Sequence, residues 1–157
     1  MEICGRSSKN AELAKLAYGA NYDQVMEAPV TIALFTDTDL QKRARKIARV
    51  GGVKNFTDEQ LQYFMQNLPA EFARYDVQQT SDYLALNAGL VAMNLVLALT
   101  DQGIGTNIIL GFDKSKIDEV LDIEERFRPE VLITVGYAAE KVEPSYRLPV
   151  DEIIDKR

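Results

Sequence analysis

From Asp76 to Gln102 the chain carries no proline, and Gly89 is its only glycine. At about 100° per residue, Thr80, Asn87, Asn94 and Asp101 fall on one narrow polar stripe of a helix. Ser81, Ala85, Ala88, Gly89 and Ala92 lie on the opposite side, and the other faces are mainly Leu, Val, Met and Tyr. A helix apolar nearly all round is buried inside something. A face of small side chains lets another backbone approach closely. At 157 residues the chain is one domain in size, too small to surround such a helix easily. The segment therefore predicts a long helix at a subunit interface, with a central helix of a monomer as the alternative. Its most apolar part, Tyr83–Leu99, is shorter than the ~20 residues of a membrane span and carries two asparagines, so no membrane span is expected.

The rest of the chain alternates helices with a few strands. Ser8 can cap a helix that Gly19 stops, and residues 21–29 form a short helix or turn closed by Pro29. The β-branched run VTIALFTD (30–37) predicts a buried strand. A helix follows to Gly51-Gly52. Thr57, with Gln60 three residues on, forms a capping-box pattern for a helix to about Leu68, and Pro69 begins a further turn. TNIILG (106–111) and EVLITVGYA (130–138) read as strands, separated by an amphipathic helix (113–123) with Asp113 as cap and Ile117, Val120 and Leu121 inward. The tail, with two prolines, reads as an arm crossing a surface. The fold class is α+β: a small mixed or antiparallel sheet surrounded by helices, within a single domain over 1–157.

Composition removes several chemistries. The chain has no histidine, which excludes Ser-His-Asp, Cys-His and His-metal sites. There is no clustered acidic metal loop, so no metal is expected. A net charge of −6 argues against a general nucleic-acid binder. The one basic cluster, KRARKIAR (42–49), reads as a solvated helix face. The single cysteine, Cys4, precludes an internal disulfide and fits a reducing cytoplasm, and MEICGRSSKN has no apolar signal core. If the chain is an enzyme, the difficult chemistry belongs to a bound cofactor.

Three features can serve such a cofactor. Gly111 follows a strand and precedes a predicted helix: either it turns the chain, or it lets a flat ligand approach backbone N–H donors. Arg147, between prolines in PSYRLP, is either a surface arginine or a rigidly presented phosphate ligand. Phe56, Tyr63, Phe64, Phe72 and Tyr75 either pack helices or wall a pocket for a flat substrate.

The order of ALTDQGIGTNIILGFDKSKIDEVLDI, RPEVLITVGYAAE and PSYRLPVDEII after an apolar helix resembles the nitroreductase family of FMN-dependent NAD(P)H oxidoreductases. The strongest pieces are residues 103–113, ITVGY (133–137) and YRLP (146–149), and the likeness covers about 9–154. It implies a homodimer with FMN at the interface, reduced by NADH or NADPH and passing electrons to a nitroaromatic, quinone or similar acceptor. Carried onto this sequence, Leu110 and Gly111 would offer backbone N–H groups to the flavin and Ile109 would pack beside the ring. Arg147 would bind the phosphate, and Tyr63 and Phe64 would belong to the helical region beside the substrate. No side chain is implied as an acid or base. The family's N-terminal Arg-Arg-Ser and Asn-x-Gln segments have no counterpart here, and Arg6, Ser7 and Ser8 precede the wrong helix to replace them. Ser145 stands where some relatives carry a second basic phosphate contact. The expectation is a chain lacking the family's N-terminal portion, with an exposed sheet edge. The alternative is a dimeric nitroreductase-like scaffold that binds flavin weakly or not at all, without turnover.

Overall fold

The run VTIALFTD is apolar without alternation because both of its faces are covered. The computed structural model describes residues 2–5, 8–53, 56–139 and 146–155. The chain runs β1 (Glu2–Gly5), α1 (Ser8–Leu16), α2 (Asn21–Glu27), β2 (Val30–Asp37), α3 (Leu40–Val53), α4 (Asp58–Gln62), a π-helical turn (Tyr63–Asn67), α5 (Leu68–Phe72), α6 (Val77–Asp101), β3 (Gly105–Ile109), α7 (Ile117–Leu121), β4 (Phe127–Gly136) and α8 (Val150–Ile153). The strands make one antiparallel sheet in the order β1-β2-β4-β3. Ala33, Phe35, Leu132 and Ile109 face Leu13, Leu16, Ile117 and Leu121 from α1 and α7. Ile32, Leu34, Val131 and Ile133 face Ala88 and Ala92 of α6. Successive strand residues point to opposite faces, so each strand serves two cores.

Glu2–Gly5 pairs with Val30–Ala33. The edge expected to lie open is therefore taken by the chain's own first described residues. Arg6, Ser7 and Ser145 lie outside the described residues.

β4 begins earlier than its apolar run suggested and contains Pro129. The ladder shifts there: Leu34 pairs with Val131 but Phe35 with Pro129, leaving Glu130 as the extra residue. Proline has no N–H for the ladder, and a bulge is where an inner strand can hold one. The bulge also aims charge. Arg128 Nε donates to Glu130 Oε1 at 2.8 Å, and its Nη1 and Nη2 donate to the Ser81 hydroxyl (2.7 Å) and carbonyl (3.1 Å). The Thr36 hydroxyl donates to Glu130. These bonds fasten the first turns of α6 to the sheet.

α6 opens with a capping box that the sequence reading missed. The Gln79 amide donates to Asp76 Oδ1 at 2.7 Å, and the Asp76 amide to Gln79 Oε1 at 3.0 Å. Gly103 (φ 74°) ends the helix in the left-handed conformation. The helix exists as expected, but its faces are used differently. Ala88 and Ala92 let α6 lie close on its own sheet, whereas Leu86, Leu90 and Leu97 point outward at 58–65% exposure. Of the small residues, Ala88 and Ala92 thus meet the chain's own sheet while Ala85 and Gly89 stay exposed, and the open stripe also carries large side chains. At 25 residues, α6 is long and apolar enough to span a membrane by length and composition alone. Its seat along the sheet is what marks it as a covering helix.

Two local expectations also change. Asp113 does not cap α7. Its carboxylate accepts from the Ser115 amide (3.0 Å) and hydroxyl (2.7 Å), making a local turn, and the helix starts only at Ile117. Thr57 does cap α4 with a full capping box, but the helical path runs on through Pro69. The Leu68 amide donates to the carbonyl of Tyr63, five residues back. Pro69 has no amide, and its ring would press on the Met65 carbonyl in a regular helix; the wider turn accommodates it.

Leu132→Ala, at the fully buried sheet centre, is expected to cost about 2–5 kcal/mol in urea unfolding. Asp76→Ala is expected to cost about 1 kcal/mol. A larger loss for the cap than for the core residue would contradict this ranking.

Candidate functional site

The end of β3 is pinned to the end of α1. The Gly111 carbonyl accepts from the Tyr18 amide (2.9 Å) and from Asn21 Nδ2 (3.1 Å). The Asp113 amide donates to the Leu16 carbonyl at 2.8 Å, and Ala17 and Phe112 form an isolated antiparallel bridge. These turn bonds use the carbonyl of Gly111 and the amides of Phe112 and Asp113. The amides of Leu110 and Gly111 do not take part in them.

A Cβ built on Gly111 would lie 2.8 Å from Asn21 Nδ2. A side chain here would press on the Asn21 amide, which would have to give way and strain its bond to the Gly111 carbonyl. The side chains along this edge alternate. Ile109 is 2% exposed and belongs to the core with Leu13 and Leu132, whereas Leu110 is 67% exposed. Ile109 thus supports the edge from beneath, and Leu110 is the apolar group on the open side. Next along, Ser115 and Lys116 hold the Asp113 carboxyl below its ordinary value, the Ser115 hydroxyl contributing most.

Tyr63 and Phe64 sit elsewhere in the chain. Phe56 stacks on Phe64 with ring centroids 5.2 Å apart, and Tyr63 meets Phe64 edge-on at 5.4 Å. Phe72 and Tyr75 instead cluster with Tyr83 at the start of α6. The five aromatics are two groups, not one wall. Arg147 is exposed, and its Nη1 donates to the Tyr146 carbonyl at 2.9 Å. Within one chain the described contacts bring Ile109–Gly111 to α1, Tyr63 and Phe64 to Phe56, and Arg147 to neither. Tyr18 and Asn21, which fix the Gly111 carbonyl, were missed. No local pattern in the sequence joins Asn21 to a residue 90 positions away.

The family model described as Nitroreductase family matches residues 7–137. The chain belongs to the nitroreductase family. A Streptococcus pyogenes (serotype M6) relative named "Putative NAD(P)H nitroreductase Spy0809" is 61% identical over 149 residues, 95% of this chain and 74% of the relative. The crystal structure of a nitroreductase family protein from Streptococcus pneumoniae TIGR4 superposes with a TM-score of 0.93 at 80% identity, over 99% of this chain and 78% of the other. A structure from Exiguobacterium sibiricum, described as "a putative nitroreductase in complex with FMN", superposes at 0.88 with 27% identity, over 99% of this chain and 76% of the other. The nitroreductase fold expected from residues 103–113, 133–137 and 146–149 is thus the fold observed.

Gly111→Ala is expected to destabilise the protein by about 1–3 kcal/mol through contact with Asn21. In an Asn21→Ala background the same change should cost less, with a coupling of about 0.5–3 kcal/mol in thermal or urea unfolding. Additive losses would show that Asn21 is not the group that demands the glycine.

Proposed function

We propose that this chain is an FMN-dependent oxidoreductase that passes electrons from NADH or NADPH to nitroaromatic, quinone or similar acceptors, and that it works as a homodimer. The observation that carries the reading is the Leu110–Gly111 edge. Its carbonyl side is fixed by Tyr18 and Asn21, which leaves two consecutive amides uncommitted to the turn beside an exposed leucine. That is a suitable edge for a flat heterocycle with polar atoms on its rim. The FMN complex of the Exiguobacterium relative supports the choice of flavin, and the name of the Streptococcus pyogenes relative supports the nucleotide donor.

Bound FMN supplies the two-electron chemistry for which a histidine-free chain has no side-chain machinery. The chain's own contribution is binding and exclusion of water. The Leu110 and Gly111 amides donate to the ring's polar edge, the Leu110 side chain shields it, and Arg147 holds the phosphate through its guanidinium fork. The dimer is supported by the outward stripe of Leu86, Leu90, Met93 and Leu97 on α6 and by Leu148, Val150 and Ile153 on the tail, all exposed in the single chain. Pairing across α6 would let the tail of one copy, with Arg147, reach the other, and would complete a site whose parts are separate within one chain.

FMN added to the purified protein should lose fluorescence saturably. Arg147→Ala should weaken FMN more than riboflavin, since only FMN carries the phosphate; an equal loss for both would remove Arg147 from the site. Leu90→Lys should shift the mass in solution from dimer to monomer. An unchanged dimer would place the interface elsewhere.

A further inference from the structure

The basic helix face singled out in the sequence lines a groove that the flavin reading does not use. α3 carries Lys42, Arg43, Arg45, Lys46 and Arg49 with no acidic residue between Leu40 and Val53, in a chain of net charge −6. Lys42, Arg43 and Lys46 border a cavity of about 560 Å³. Ile47, Val50 and Phe56 supply its apolar lining. None of the three cations forms an ion pair among the described residues. The carboxylate in the lining, Asp37, is already held by Arg126 at 3.1 Å. Phe56 is half-buried, with its ring stacked on Phe64, so a fixed aromatic surface stands beside the charges.

We propose that this groove is a second small-molecule site, separate from the flavin edge, for an organic anion with a flat apolar body. Lys42, Arg43 and Lys46 take a phosphate, sulfonate or carboxylate, and Ile47, Val50 and Phe56 take the body. The volume lies in the range of small-ligand pockets. Three converging cations in water attract an anion but hold it weakly, so the apolar surface must share the binding. A long polyanion fits less well, because the remainder of the chain is acidic and would repel it beyond this short patch. The proposal does not depend on flavin binding and stands or falls separately.

The test uses the full chain and 1-naphthyl phosphate, titrated by calorimetry, with 1-naphthol and inorganic phosphate as the two halves of the probe. Saturable binding tighter than either half, weakened by added salt, is expected. The exposed double variant Lys42→Gln/Lys46→Gln should lose about tenfold in affinity at unchanged thermal stability. Phe56→Ala should also weaken binding, and Arg45→Gln, outside the lining, should not. Adenosine monophosphate binding more tightly than naphthyl phosphate would identify the occupant as a nucleotide; the reverse order would identify it as an aryl acid. The proposal is overturned by absence of saturable binding, by equal losses for Arg45→Gln and the double variant, by 1-naphthol binding as well as the anion, by a tighter fit for an oligonucleotide, or by a loss of probe binding in Arg147→Ala equal to that in the double variant.

Discussion

The pairing of β2 with β4 governs the rest of this molecule. These two inner strands present apolar side chains on both faces, so neither face can be left to water. One face requires α1 and α7, and the other requires α6. Alanines at 88 and 92 allow α6 to settle near the strands, and the Arg128–Glu130–Ser81 contacts fix where along the sheet it begins. Those contacts exist because the strand bulges at Glu130 to accommodate Pro129. A proline that looks like an obstacle to a central strand thus positions the longest helix.

The same arrangement explains how function is laid out. Covering both faces of the sheet leaves its two edge strands, β1 and β3, at the rim, and the chain beyond β3 carries the Leu110–Gly111 edge. There Tyr18 and Asn21 take the Gly111 carbonyl, leaving the donor side of the chain free for other use. The aromatic pair around Phe64 and the arginine of the tail stand apart from this edge within one chain.

Periodic and punctuated features were the legible part of the sequence. The strands at 30–37 and around 130–136, the Thr57 capping box and the unbroken helix after Asp76 all rest on local patterns, and all are present. What was misread depended on which of several available partners a residue takes. Ala88 and Ala92 look the same whether they face a sheet or a second copy. Asp113 has the chemistry of a helix cap, but Ser115 competes for its carboxylate. The Asn21 contact of Gly111 was not legible, because nothing near Gly111 in sequence points to Asn21.

The bond from Asn21 to Gly111 closes a loop of 90 residues. Contacts of such sequence separation form late in folding, since the intervening chain must first be ordered. Here the whole of α6 lies within that loop. The observed shape of the Leu110–Gly111 edge therefore depends on a contact between distant parts of the chain. Partly folded states that keep the sheet's inner strands but lack this bond would not hold the edge in its observed shape.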